Sequence, residues 1–248
     1  MRYISVFAVA VILCTTATKA AYVTVNLGSV ANELDDRIQS MPVGMQTLGG
    51  IPFDLLPMTG NNSWSADVGT TLGVQSTQTM TLPVNIFGAT AVDTLINTGW
   101  GVDGSTTDSL EFVCSDATSY TVNLKEGTDI RDWLDNTSSP YSNTINGTTT
   151  IQVFDGVPNA AGGPDGRIDK QTIALPAAFD SRTLTSIILT DSGVSGNDDA
   201  AYSHSVSAQR AFIYGVTVTT VPEPSSYVLL AIGGLLCVWA IQVIGTTL

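Results

Sequence analysis

Eight short segments between residues 21 and 220 alternate apolar with polar side chains or are rich in β-branched residues, and this pattern most constrains the fold. They are AYVTVNL, TQTMTLPVNI, SLEFVCS, SYTVNLKEG, TTTIQVFDG, KQTIALP, LTSIILTDSG and AFIYGVTVTT. A period of two sends successive side chains to opposite faces of a strand. Clusters of Gly, Pro, Asn and Asp between the segments predict turns. Eight or more short strands at this spacing predict an all-β fold, a β-sandwich or jelly roll.

Two other segments, ANELDDRIQS and DIRDWLDN, carry charged and apolar residues in a pattern that favours short helical turns. In the second, Trp133 is expected to anchor the turn by packing on the sandwich.

The charge balance excludes one class of partner. The chain has 248 residues, with 9 Lys and Arg against 22 Asp and Glu, for a net charge of -13. Because such a surface repels phosphate backbones, we expect no nucleic-acid binding. Of the three cysteines, only Cys114 lies outside the apolar ends of the chain. We therefore predict no disulfide within the body, and the alternating neighbours of Cys114 indicate a buried strand thiol.

The N-terminal segment has the three parts of a secretory signal peptide. Arg2 precedes an apolar run over residues 4–13, and small residues follow around Ala20. The run is too short to cross a bilayer comfortably. We predict a signal peptide over residues 1–20, cleaved after Ala20, and a single β-sandwich domain over residues 21–220.

The C-terminal segment, residues 221–248, begins VPEPSS and continues with an apolar run over residues 227–244. This tail resembles the PEP-CTERM sorting signal of exported bacterial proteins. Its motif matches Pro222, Glu223, Pro224 and Ser225, and its transmembrane helix matches residues 227–244. The basic cluster that ends the family signal is missing, since this chain ends QVIGTTL. Without that cluster, an ordinary membrane anchor is the alternative interpretation.

The resemblance implies a cellular location and a set of partners. The membrane would hold the chain through its C-terminal helix until an exosortase-type sorting protease processes it. The protein would then reach the cell surface or the extracellular matrix, where the family is associated with exopolysaccharide.

The body resembles the galactose-binding-like jelly rolls that accompany carbohydrate-active proteins. The similar pieces, in order, are GGIPFDLLP, LPVNIFGATAVDTLINTGWG (a strand that ends in an aromatic residue), LEFVCSDATSYTVNLKEGTDIRDW and ALPAAFDSRTLTSIILTDSG. This resemblance implies an architecture more than an activity, because the fold has many functions.

Catalytic motifs are scarce. His204 is the only histidine, so the sequence has no histidine cluster for zinc and no HExxH motif. It contains no nucleophile elbow and no phosphate-binding loop. Paired carboxylates could support glycoside hydrolysis, but no spacing singles out a pair. We therefore expect no enzymatic activity.

Two kinds of binding site remain candidates. Exposed aromatic and polar side chains suit sugars, and the candidates are Trp64, Trp100, Asp103 and Tyr202. Oxygen ligands gathered by turns suit Ca²⁺, the one cofactor considered, and the candidates are Asp155, Asp165, Asp169, Asp198 and Asp199. Both sets have an alternative interpretation, as aromatics that cap the core and as acids that form turns.

The sequence thus predicts an exported surface or matrix protein with a structural or adhesive role within exopolysaccharide. The first alternative is a protein like a carbohydrate-binding module, with or without calcium. The second is a glycoside-active enzyme.

Overall fold

The computed structural model describes residues 20–35, 38, 40–68, 77–135, 142–156, 165–193 and 209–221. Their regular elements are β1 (Ala21–Val25), β2 (Gly44–Leu48), β3 (Ile51–Leu55), β4 (Trp64–Ser65), β5 (Gln78–Phe87), β6 (Ala89–Gly99), β7 (Asp108–Cys114), β8 (Ser119–Leu124), β9 (Leu134–Asp135), β10 (Thr150–Asp155), β11 (Asp165–Ala174), a 3₁₀ turn (Ala177–Phe179), β12 (Thr183–Asp191) and β13 (Arg210–Thr220). Ala21–Val221 forms one compact unit.

The strands form two antiparallel sheets. The larger has the order β1-β13-β6-β11-β10, with β4 added to β13 and β9 added to β11, and the smaller has the order β5-β12-β7-β8. Strands β2 and β3 form a separate hairpin. The predicted all-β class is confirmed, and each of the eight alternating segments contains a strand.

The helical turns predicted in ANELDDRIQS and DIRDWLDN are wrong for the residues that the structure describes there. Glu33 pairs with Ser63, and Asp132 bridges to Thr98. The Trp133 amide donates to the Thr98 carbonyl at 2.9 Å, and the Arg167 amide donates to the Trp133 carbonyl at 2.9 Å. Hydrogen bonds to the sheet therefore replace the helical ones, as tertiary context often does where local propensity is weak.

The main core lies between the two sheets. Leu82, Phe112 and Ile187 of the smaller sheet are at most 1% exposed and share one cluster with Val92 and Val216 of the larger sheet. The period of two explains this arrangement, because alternate residues of each strand point inward. Cys114 belongs to the same cluster at 2% exposure, which confirms the predicted buried thiol.

A second core lies on the other face of the larger sheet. Phe53 and Leu55 of the hairpin pack with Leu95 and Tyr214. Gly215 permits this close approach, because a Cβ there would lie 3.1–3.2 Å from side chains of Phe53, Leu55 and Leu95. Strands β6 and β13 are therefore covered on both faces, and nearly all of their residues are buried.

Strands β6 and β13 run the length of the sandwich and define its two ends. At one end, Ala21 pairs with Thr220, and the Val221 amide donates to the Gly88 carbonyl at 2.7 Å. We call this the tail end, because the chain continues from it into Pro222. At the other end, Arg210 pairs with Gly99. The ten steps of β13 separate the two ends by about 30 Å.

The described residues include no helix that is long and apolar enough to cross a membrane. The predicted signal peptide, the motif Pro222–Ser225 and the apolar run over residues 227–244 lie outside the described residues.

Candidate functional site: an aromatic cleft backed by buried carboxyl groups

A small cleft lies at the end of the sandwich opposite the tail end. Its volume is about 10 Å³, roughly the space of one water molecule and far below the ~300 Å³ at which typical enclosed ligand pockets begin. A ligand would therefore lie across this cleft and not inside it. The lining residues are Ser65, Asp67, Gly99, Trp100, Trp133, Arg210 and Phe212. We call them the aromatic cleft, and this end of the sandwich the cleft end.

Trp100 lies where strand β6 ends, in a conformation unusual for a tryptophan. Its φ of 57° is in the left-handed region, which bulky residues rarely adopt. The next amide, of Gly101, donates to Asp132 Oδ2 at 3.1 Å, which fixes the turn. The indole stays half-buried at the surface. Such conformations cost about 1–3 kcal/mol and occur often at ligand-binding positions.

Trp133 is fixed by close contact with glycine. A Cβ on Gly166 would lie 3.1 Å from Cε3 of the indole, and a Cβ on Gly99 would lie 3.9 Å from its Nε1. The absence of side chains at these two positions lets the ring lie against the backbone of the larger sheet. The side of the ring that lines the cleft is therefore held in place.

Arg210 brings charge to the cleft although its side chain is only 2% exposed. Its Nη1 lies 3.6 Å from Asp191 Oδ1. Asp191 in turn accepts hydrogen bonds from the amides of Gly193 at 2.7 Å and Ala211 at 2.9 Å. The guanidinium is thereby held by a carboxylate that the backbone already orients.

A second carboxyl group lies beside Asp191. Asp108 of β7 is its register partner across the sheet, and both are buried. Burial and the neighbouring Asp191 raise the pKa of Asp108 to about 8. Burial also raises the pKa of Asp191, although two backbone amides and Arg210 oppose that shift. Gln209 Nε2 donates to Asp108 Oδ2 at 3.0 Å, and Asp108 is protonated at neutral pH.

Two further acids lie in the segment between β8 and β9. Glu126 is 1% exposed, and burial raises its pKa well above the usual range. Its Oε1 accepts a hydrogen bond from Thr98 at 2.7 Å, while its Oε2 has no hydrogen-bond partner. Burial also raises the pKa of Asp132, to about 6. Glu126 and Asp132 thus support the loop that carries Trp100, through the hydrogen bonds from Thr98 and from the Gly101 amide.

The four predicted sugar-binding residues differ in where they lie in the chain and in the fold. Trp100 lines the cleft, but Trp64 is 6% exposed and packs in the main core, because its pairing with Ile213 directs the indole between the sheets. This burial corrects the expectation for Trp64. Asp103 is exposed in the loop after β6 but does not line the cleft. Tyr202 lies outside the described residues.

The predicted calcium ligands do not come together in the described part of the chain. Asp169 is buried, and its two oxygens accept hydrogen bonds from Arg131 Nε and Nη2, both at 2.7 Å. Its Oδ2 also accepts a hydrogen bond from Asn97 Nδ2 at 2.9 Å. These three hydrogen bonds and the Arg131 charge already satisfy most of the acceptor capacity of the carboxylate, which corrects the expectation for Asp169. Asp155 is exposed on β10.

The three other predicted calcium ligands do not complete a binding site in the described part of the chain. The backbone of Asp165 begins β11, and Asp198 and Asp199 lie outside the described residues. Within the described ranges, no group of three or more Asp, Glu, His or Cys side chains could hold a metal ion.

Sequence reasoning missed Asp67 and Arg210 as cleft residues, and it treated Trp133 only as a packing anchor. Asp67 follows the two-residue strand β4, and Arg210 begins β13. Neither belongs to a motif. The one usable signal was Arg210 itself, a charged residue at the start of a segment that is otherwise apolar.

Comparison of the chain with protein-family models, with curated proteins and with solved structures gives no match.

Proposed function

We propose that this chain is an exported, adhesive protein of the PEP-CTERM type that binds exopolysaccharide weakly through the aromatic cleft. Its sandwich is a galactose-binding-like jelly roll that follows a cleaved signal peptide. Its C-terminal helix holds it in the membrane until an exosortase-type protease releases it to the cell surface or matrix. Without release, the same helix serves as a permanent anchor.

The observation that carries this proposal is the pair of tryptophans at the cleft end. A sugar ring stacks its C–H face on an indole, and neighbouring polar groups fix its orientation. Trp100 and Trp133 supply the aromatic surface, Asp67 supplies a charged hydrogen-bonding group, and the buried Arg210 adds positive charge at the wall of the cleft. Preorganisation of both indoles lowers the entropy that binding would otherwise lose.

A binding role suits this site better than glycoside hydrolysis. Hydrolysis needs two carboxyl groups on either side of the scissile bond, about 5–10 Å apart. Asp108, Glu126 and Asp191 are each at most 1% exposed, and among the described residues the aromatic cleft is lined by one carboxylate, Asp67. The buried acids therefore support the cleft from behind.

Affinity electrophoresis of the full chain in detergent micelles tests the proposal. The probes are galactomannan, mixed-linkage β-glucan and the exopolysaccharide of the cells that make the protein. We expect at least one probe to retard the wild type, and Trp100→Asn to reduce the retardation about tenfold or more. Asparagine removes the indole but tolerates the left-handed backbone of Trp100.

Met45→Ala is the matched control, because Met45 is 63% exposed on the hairpin and lies outside the cleft. It should leave retardation unchanged. Equal retardation of the wild type and Trp100→Asn would contradict binding at the cleft, and mobility unaffected by every probe would contradict the adhesive role.

A further inference from the structure

The tail end of the sandwich presents aromatic side chains to solvent. The exposed large apolar side chains of the described residues include two aromatic ones, Phe87 at 62% and Tyr22 at 45%. Phe87 directly precedes Gly88, whose carbonyl accepts from the Val221 amide. Tyr22 follows Ala21, which pairs with Thr220. Both aromatic residues therefore lie next to the point where the chain leaves the sandwich toward Pro222.

The chain that joins this end to the apolar run is short. Five residues lie between Val221 and Tyr227, where the apolar run begins. Even fully extended, the six Cα–Cα steps span about 20 Å. A bilayer adds only about 5–7 Å of headgroup region on each side of its hydrocarbon core. A sandwich tethered by this linker stays within reach of the headgroups.

The charge around the tail end does not oppose contact with uncharged lipid. Arg182 Nε lies 2.7 Å from Asp116 Oδ2, so these two charges largely cancel. Asp180 is the other charged residue that the structure describes next to Gly88. The chain as a whole carries a net charge of -13, which would repel an anionic bilayer. A zwitterionic headgroup layer is the surface that this end fits.

We propose that the tail end is a membrane-facing surface, on which Phe87 and Tyr22 insert into the zwitterionic headgroup layer of the bilayer that holds the tail. Aromatic side chains favour this layer, where their rings leave water without entering hydrocarbon. This inference rests on the proposed membrane anchor. It sets the orientation of the tethered protein, because the aromatic cleft lies about 30 Å away at the opposite end of β13 and therefore faces the matrix.

Fluorophore depth measurements on the full chain test this surface. The chain is reconstituted in phosphatidylcholine vesicles that contain a lipid with a nitroxide on its headgroup. In a background without reactive cysteines, an environment-sensitive dye is attached at Asn85→Cys, near Phe87, or at Thr106→Cys, in the loop at the cleft end. Both native side chains are exposed. We expect headgroup quenching at residue 85 to be at least twice that at residue 106.

Variants separate insertion from simple tethering. Phe87→Ser combined with Tyr22→Ser should lower quenching at residue 85 to the level of residue 106, while the chain still floats with the vesicles. The matched pair Leu34→Ser and Met45→Ser changes two residues that are 51% and 63% exposed elsewhere, and it should have no effect.

Two outcomes overturn the inference, and they differ in what else they affect. A chain that floats with the vesicles but shows equal quenching at residues 85 and 106 overturns the membrane-facing surface alone. A chain that does not float with the vesicles overturns the proposed anchor as well.

Discussion

The cleft end and the tail end of the sandwich are built in different ways from the same strands. At the cleft end, buried acids and arginines such as Asp108, Asp191 and Arg210 meet where β7, β12 and β13 begin or end. At the tail end, the same strands end in backbone hydrogen bonds and exposed aromatic residues, and Arg182 and Asp116 pair in solvent. Buried charge costs free energy, whereas strand ends in water cost little.

This contrast indicates which end is specialised. A buried oxygen without a hydrogen-bond partner, such as Glu126 Oε2, destabilises the fold. It persists only where the many surrounding contacts fix its position. At the cleft end, the buried groups support the loop that presents Trp100. Nothing comparable is needed at an end whose proposed role is contact with lipid. The difference therefore predicts that substitutions change the free energy of unfolding strongly at the cleft end and weakly at the tail end.

Gly101→Ala is expected to have the largest effect. An added Cβ would overlap Glu126 Oε1 and lie 2.8 Å from its Cδ and 3.0 Å from Thr98 Oγ1. The bond from Thr98 to Glu126 would break inside the protein, and the overlap would add strain. We expect a loss of about 3–5 kcal/mol in the free energy of unfolding, measured by urea denaturation.

Gly60→Ala is the control for Gly101→Ala, since an added Cβ at Gly60 meets no atom within 4 Å. Its unfolding midpoint should stay near that of the wild type. A Gly101→Ala protein as stable as Gly60→Ala would show that the loop is loosely packed, contrary to our description.

Asp108→Asn should remove part of the pH dependence of stability. Folding raises the pKa of Asp108 from 3.8 to about 8, so the folded chain holds a proton that the unfolded chain releases. The stability from this proton is complete below pH 4 and falls by about 1.4 kcal/mol per pH unit as the pH rises toward 8. Between pH 5 and pH 7, the wild type should lose about 3 kcal/mol more than Asp108→Asn.

The measurement is urea denaturation of both proteins at pH 5, 6 and 7. The other buried acids are present in both, so the difference between the two slopes reports on Asp108 together with its coupling to Asp191. Parallel slopes would mean that Asp108 is ionised in the folded protein at neutral pH.

Phe87→Ser should have the smallest effect on stability. The side chain is 62% exposed at the tail end, so its loss removes little buried surface. We expect the free energy of unfolding in detergent to change by less than about 0.5 kcal/mol. A loss above 2 kcal/mol would show that Phe87 belongs to the core, and the contrast between the two ends would then fail.

The sequence predicted the positions of the strands better than it predicted how the strands pack into layers. Period-two alternation located β5, β7 and β12 because each has one buried and one solvated face. The hairpin of β2 and β3 was missed, although Gly49 and Gly50, with φ of 55° and 80°, are a recognisable two-residue turn. The second core was not predictable, since a strand pattern does not say what covers the far face of a sheet.

The candidate site could be predicted only in part. Trp100 was recognisable by its polar, Gly-rich neighbours, but so was Trp64, and only pairing with β13 buries the latter. Arg210, Asp191 and Asp108 are brought together by register between distant strands. No local spacing encodes such a contact.

The measurement that tests the account most directly is hydroxyl-radical footprinting of the full chain in micelles, with and without the polysaccharide that binds it best. The method reports on Trp, Phe, Tyr and Met side chains, and these occur at both ends and on the hairpin. We predict protection of Trp100 and Trp133 on binding, with Phe87, Tyr22 and Met45 unchanged. Protection at Phe87 and Tyr22 with none at the two tryptophans would place the ligand at the tail end and contradict the assignment of the two ends.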